Sequence, residues 1–196
     1  TVTCSGVVDT HDFAGVIGRH AGHLPLWSFR GQTALTRPGA GIKALAREFR
    51  RSERPTLETL HALSARIVER IAYGTGATGV HTSAEDALAA GKGVCQDHAH
   101  VFIGTARALG VPARYVSGYL MMNDRVEQEA THAWAEAHVE NLGWVGFEVS
   151  NGISPVQRYV RVATGRDYRD AAPVTGISTG STSEALSVKV AVEQQK

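Results

Sequence analysis

Little in this sequence ties it to a membrane, to nucleic acid or to a disulfide framework. It has no run of about 18 or more apolar residues, so no membrane-spanning helix is expected. Residues 1–25 lack a basic stretch followed by an apolar core, so no signal peptide is visible, although the chain opens on Thr1 and not on Met. No basic block stands out, and the net charge is only +1 with a pI near 7.9. Neither nucleic acid nor a membrane is therefore an expected partner. Cysteine is scarce: Cys4 and Cys95 are the two present, far apart in the chain. Both are read as reduced, which suits a cytoplasmic setting. No internal repeat and no low-complexity linker is found. The acidic loop that calcium sites need is missing, so no calcium site is expected. Gly74-Thr75-Gly76-Ala77-Thr78-Gly79 matches a dinucleotide-binding glycine spacing, but it follows a helical pattern and leads into Val80-His81-Thr82. That fingerprint belongs between a strand and a helix, so the segment is read as a loop.

What is present is enough for a sizeable core. Of 196 residues, 43% are hydrophobic and 20% charged, which fits one large domain, or one domain with part of a second. Val2–Thr10 alternates loosely and is rich in β-branched residues, so it is predicted as a strand. Helical spacing predicts helices over 41–51 and from Pro55 to near Tyr73, the latter with Leu57, Leu60, Leu63, Ile67 and Ile71 on one face. Ser83 with Asp86 three residues on marks the start of a short helix over 84–90, closed by Gly91. A further helix runs over 95–109, with Ala99, Phe102, Ile103, Ala106 and Leu109 on one stripe. After Pro112 the pattern turns to strands: Ala113–Met121, Thr131–Val139, Trp144–Ser150, then Val156–Ala163 and Leu186–Val192. Residues 174–184 read as a polar surface loop. Helices first and strands second predict an α+β fold with an antiparallel sheet.

The chemistry gathers around Cys95. Gly91-Lys92-Gly93-Val94-Cys95-Gln96-Asp97 puts this cysteine at the start of a helix. Free N–H groups and the positive end of the helix dipole favour a thiolate there, and the thiolate is the nucleophile. The N–H groups of Cys95 and Gln96 can also donate to a developing oxyanion. A buried structural cysteine is the plainer alternative. A base is available in His132, at the head of Thr131-His132-Ala133-Trp134-Ala135-Glu136. There too a core histidine bonded to a carbonyl is the alternative reading. Along this strand and the next, even-numbered residues share a face. A turn centred near residue 140 places His132 opposite Glu148, and a centre at 141 makes them diagonal neighbours; both lie within side-chain reach. A carboxylate in that place would orient the imidazole and stabilise its cation. His98 and His100, two apart on a helix, do not face one another, so a metal pair is not expected. Asp97 is assigned to capping the helix start. Trp134, Trp144 and Tyr168 are candidates for the cleft, with Tyr168 kept as a rim residue.

Three blocks carry a resemblance. "GKGVCQDHAH" with "ARALGVPARYVSGYL", then "HAWAEAHV", then "GWVGFEVSNG", together with "GRDYRDAAPVTG", resemble the core of the bacterial transglutaminase-like family over about residues 30–190. The resemblance implies a papain-like fold, in which a cysteine-bearing helix packs on an antiparallel sheet. It implies a Cys-His-Asp triad, carried here by Cys95, His132 and Glu148. Glu148 departs from the family, which usually has Asp there, often followed by Pro and Thr. The implied activity is cysteine-dependent acyl transfer on an amide or peptide bond, with a peptide or protein as substrate and no cofactor. Hydrolysis is favoured over transfer to an amine, and a non-catalytic binding module on the same fold is the rival reading. Finally, "SGVVDTHD" near the start resembles the end of an N-terminal β-region found in longer members. Residues 1–25 are accordingly read as the tail of such a region, cut short, and 26–196 as the catalytic domain.

Overall fold

A computed structural model describes residues 2–50, 55–122, 126–128, 131–175 and 188–194. At its centre is helix α4 (Cys95–Ala108), preceded by α1 (Ala40–Phe49), α2 (Leu57–Arg70) and α3 (Ala84–Ala90). These helices form for the reasons written in the sequence. Thr56 caps α2 by accepting the N–H of Thr59 at 3.3 Å, and Ser83 caps α3 by accepting the N–H of Asp86 at 3.2 Å. Gly91 closes α3 in the left-handed region, at φ 64°.

The expected single stripe on α4 is an understatement. Every residue from Asp97 to Arg107 is buried, because the sheet packs on one side and α1, α2 and α3 on the other. A helix enclosed all round must satisfy its polar groups internally. Arg107 does so: its guanidinium donates to the carbonyls of Phe29 (3.0 Å), Ala113 (2.8 Å) and Arg166 (2.6 Å) and to Thr36 Oγ1 (3.1 Å). Gly104 marks the closest approach, since a Cβ there would lie 2.6 Å from the carbonyl oxygen of Thr36.

The main sheet is antiparallel throughout, in the order β1-β7-β6-β4-β8. Its strands are β1 (Val16–Gly18), β4 (Ala113–Leu120), β6 (His132–Val139), β7 (Gly143–Phe147) and β8 (Tyr159–Gly165). Two small pairs stand apart. β2 (Ala72–Tyr73) runs parallel to β3 (Lys92–Gly93), and β5 (Glu127–Gln128) runs antiparallel to β9 (Val190–Ala191). Alternation divides the faces of β6. Ala133, Ala135 and Ala137 join the core cluster that contains α4, and their small side chains let the helix lie close. Trp134 points to the opposite face, in a cluster with Val116, Leu120 and Tyr159. Glu136 is buried on that face and paired with Arg114 (2.6 Å) and Arg161 (2.7 Å), and Arg114 sits 3.9 Å above the ring of Trp144.

The α+β expectation holds, and four strand boundaries need correcting. Val2–Thr10 forms no strand; it is exposed and irregular, and the first strand is β1 instead. Alternation without a ladder partner does not make a strand. The strand expected over Trp144–Ser150 stops at Phe147, because Glu148 bonds back to Ile153 through both backbone groups (2.9 and 3.2 Å). Val149–Asn151 is then a 3-10 turn, and Gly152 at φ 66° lets the chain reverse. The fourth strand is shifted to Tyr159–Gly165, after a turn in which Tyr159 N–H donates to Val156 at 3.0 Å. Of Leu186–Val192, residues 186–187 lie outside the described part and Val190–Ala191 is the strand. Most of the expected loop over 174–184 also lies outside it. Among the described residues, no helix is long and apolar enough to cross a membrane.

Candidate active site

Cys95 is the first residue of α4, half-buried and unpaired; Cys4 is free and exposed. The parallel pair β2–β3 delivers the chain to this point, and Val94 precedes the helix in an extended conformation. Asp97 closes the start, as expected: its Oδ2 accepts the N–H of Val94 at 2.8 Å and the hydroxyl of Thr78 at 2.6 Å. Gly93 is required beside it, since a Cβ there would lie 2.8 Å from Asp97 Cβ. The N–H groups of Cys95 and Gln96 belong to the first turn, where no intrahelical acceptor exists. The side chain of Gln96 turns away and donates to the carbonyl of Val80 at 3.2 Å. The glycine-rich loop 74–79 follows β2 and not a helix directly. It leans on the first turn of α4 through Thr78 and is continued by Val80.

His132 is the first residue of β6, and Glu148 follows the last residue of β7. The ladder pairs Ala135 with Phe147 and Val139 with Gly143, which is the register centred at 141. His132 and Glu148 are therefore diagonal neighbours, and Nε2 of His132 lies 3.4 Å from Oε1 of Glu148. That is an ion-pair distance without the alignment of a hydrogen bond. Glu148 is fully buried, and its carboxylate is held by three further donors. Ser150 N–H reaches Oε1 at 3.2 Å, while the Asn151 amide and the Tyr159 hydroxyl, the latter at 3.3 Å, reach Oε2. Tyr159 stays a donor because burial, then the Glu148 charge, lift its hydroxyl to about 12.

The imidazole of His132 is pushed up to about 9. Burial works to lower it, but the contacts with Cys95 and Glu148, and the charges on both, outweigh burial. A histidine so placed is a cation at neutral pH, between a sulfur and a carboxylate. Cys95, His132 and Glu148 thus come together from three elements.

The other candidates fall in two groups. Tyr168 heads the 3-10 turn Tyr168–Asp170 and packs edge-on to Tyr115, with ring centres 6.2 Å apart. Tyr115 is buried within electrostatic reach of Cys95, and Cys95 and Tyr168 both pack against the core cluster that contains it. Trp134 packs on Tyr159 at 5.6 Å and near His132 at 6.4 Å. Trp144 lies at the far end of β7 against Phe29 and Arg114, away from the thiol. His98 and His100 diverge as expected. His98 bonds Ile71 and Ser150, and His100 accepts the N–H of Tyr168 at 3.1 Å. Sequence reasoning passed over Tyr159, Ser150 and Tyr73. The Tyr73 ring is half exposed, edge-on to His98 at 6.2 Å, with its hydroxyl raised by burial and then by the charges of Cys95 and Glu148. Tyr73 lies three residues past the end of α2 and pairs through β2 with Gly93, two residues before Cys95.

Residues 43–149 match the profile of the Transglutaminase-like superfamily, a stretch that takes in Cys95, His132 and Glu148. The chain belongs to this superfamily. An uncharacterized protein of Mycobacterium leprae is 33% identical over 165 residues, covering 82% of this chain and 58% of its own length. An uncharacterized protein of Mycobacterium tuberculosis is 38% identical over 151 residues, covering 71% and 48%. The chain thus spans about half the length of these relatives. A solved structure from Cytophaga hutchinsonii, provisionally designated a cysteine protease, superposes with a TM-score of 0.67 at 28% identity, covering 86% of this chain and 56% of that one. The cysteine-bearing helix on an antiparallel sheet is the papain-like arrangement of the transglutaminase-like fold.

Proposed function

We propose that this transglutaminase-like protein is a cysteine-dependent peptidase or amidase. The observation that carries the reading is the meeting of Cys95, His132 and Glu148, with the imidazole raised to about 9. In the proposed reaction the Cys95 thiolate attacks the amide carbonyl carbon and forms a C–S bond. The oxygen takes the negative charge and faces the N–H groups of Cys95 and Gln96. The His132 cation then gives its proton to the departing nitrogen, the C–N bond breaks and an amine leaves a thioester on Cys95. Neutral His132 next takes a proton from water, whose oxygen attacks the thioester. The acid is released and Cys95 and His132 regain their charges. Glu148 holds the imidazole and supports its cation throughout. The substrate is a peptide or protein, and the proposed setting is the cytoplasm, where two unpaired thiols persist.

The test is incubation with a library of amide- and glutamine-bearing peptides plus a labelled primary amine, scored by mass spectrometry. Free acid as the main product, lost in Cys95→Ala, is the expected result. Amine adducts dominating at modest amine concentration would make the protein a transamidase. No turnover by either route would leave a binding module.

A further inference from the structure

His98 lies one helical turn after Cys95 and is buried. Its Nε2 is 3.1 Å from the carbonyl oxygen of Ile71, and its Nδ1 is 2.9 Å from the hydroxyl of Ser150. A carbonyl can only accept, so Nε2 carries the proton. In the neutral ring Nδ1 is then the acceptor, and the Ser150 hydroxyl donates to it. Burial lowers the pKa of His98 and so favours the neutral ring that this assignment uses. Ser150 also donates its N–H to Glu148 Oε1 at 3.2 Å, on the same oxygen that faces His132. One chain of contacts therefore runs from Ile71 through His98 and Ser150 to the carboxylate.

That chain has a structural consequence. Glu148 does not sit in a ladder; β7 ends at Phe147, and the acid rides on the turn Val149–Asn151. Nothing in strand pairing beyond the Ile153 bridge fixes its distance from His132. A bond from the helix that bears Cys95 to the turn that bears Glu148 supplies that constraint. We propose that His98 and Ser150 are positioning residues that hold the Glu148 carboxylate opposite His132. Their effect on turnover rests on the function proposed above; their effect on His132 does not.

The experiment follows the His132 ring by side-chain NMR across pH, with its signal assigned by His132→Ala, alongside kcat and KM on a hydrolysed peptide. The groups that bear on His132 are Cys95 on α4, Glu148 after β7 and Tyr159 on β8; those that bear on His98 are Asp97, Glu148 and Tyr73. Ser150→Ala is expected to move the His132 midpoint down from about 9, because a drifting carboxylate supports the cation less. In the same variant kcat falls roughly 10-fold with KM within about twofold, the size of effect that a sub-ångström misplacement produces. His98→Leu, which has no acceptor to offer Ser150, behaves alike, and Ser150→Thr restores both readouts. An unchanged His132 midpoint in Ser150→Ala overturns the proposal. A loss of thermal stability with the midpoint unchanged overturns it as well, since the pair is then merely structural. If the wild type turns over no peptide, or Cys95→Ala is as active, the proposed function fails while the midpoint still decides the positioning role.

Discussion

Replacing Glu148 by Gln removes one charge and almost no volume, and a large loss is expected from the groups that surround it. Every group facing this carboxylate is a donor: Ser150 N–H at 3.2 Å, the Asn151 amide, the Tyr159 hydroxyl at 3.3 Å and His132 Nε2 at 3.4 Å. An amide brings an NH2 group of its own, so one pair must become donor against donor. The cation of His132 also loses its counter-charge. At 3.4 Å and an effective dielectric of about 20, the attraction between unit charges is at most ~5 kcal/mol. The contact lacks hydrogen-bond alignment, so the full value does not apply. A loss of about 10³-fold in kcat/KM, or ~4 kcal/mol, is the expected outcome, below the ~10⁴-fold seen when a serine-protease triad loses its carboxylate. The His132 midpoint should fall from about 9 in the same variant. Glu148→Asp keeps the charge on an arm shorter by about 1.5 Å, so its loss should be smaller than that of Gln. The assay is steady-state hydrolysis of a peptide found in the library screen, with thermal melting as a control for folding. Full kcat/KM in Glu148→Gln at unchanged melting temperature would refute the role of Glu148 and turn attention to Asp97 or Asn151.

Three further outcomes are expected. Iodoacetamide should alkylate Cys95 faster than Cys4 below neutral pH, although Cys4 is the exposed one; equal rates by mass spectrometry would mean that Cys95 is not activated by its surroundings. Because His132 is raised to about 9 and is the proton donor of the proposed reaction, kcat/KM should fall as pH climbs through about 9. A basic limb near 6.5 would show that neither Cys95 nor Glu148 supports the cation. His100, whose Nε2 accepts the Tyr168 N–H, is lowered from 6.5 to about 4, chiefly by burial. Below 6.5 the unfolded chain takes up a proton that the folded one refuses, so stability is full above pH 6.5 and is lost as pH falls toward about 4. Urea titrations at several pH values should show that slope, worth ~3 kcal/mol over the window, and its persistence in a folded His100→Gln variant would assign it elsewhere.

The amino-acid sequence by itself determined the local devices. Gly91, Gly93 and Asp97 start α4 at Cys95, and Ser83 and Gly91 bound α3, because capping acts over three or four residues. Period-two alternation put His132 and Glu148 on one face and limited the register to two choices, of which the ladder takes the one centred at 141. The same alternation misled at Val2–Thr10, where the pattern of a strand exists and a partner does not. It also ran β7 three residues too far, because the return of Glu148 to Ile153 is a pairing with the next segment. Two of the donors to the acid are local, the Ser150 N–H and the Asn151 amide, and tertiary structure decided the rest. Tyr159 arrives from β8, eleven positions beyond Glu148, and His98 reaches Ser150 across 52 residues of sequence. The stripe read on α4 failed for a like reason, since burial on a second side depends on where α1, α2 and α3 pack. Caps and alternation are short-range properties that a sequence states directly. The distant partners of a buried carboxylate are set by the docking of separate elements, whose hydrogen bonds no local spacing encodes.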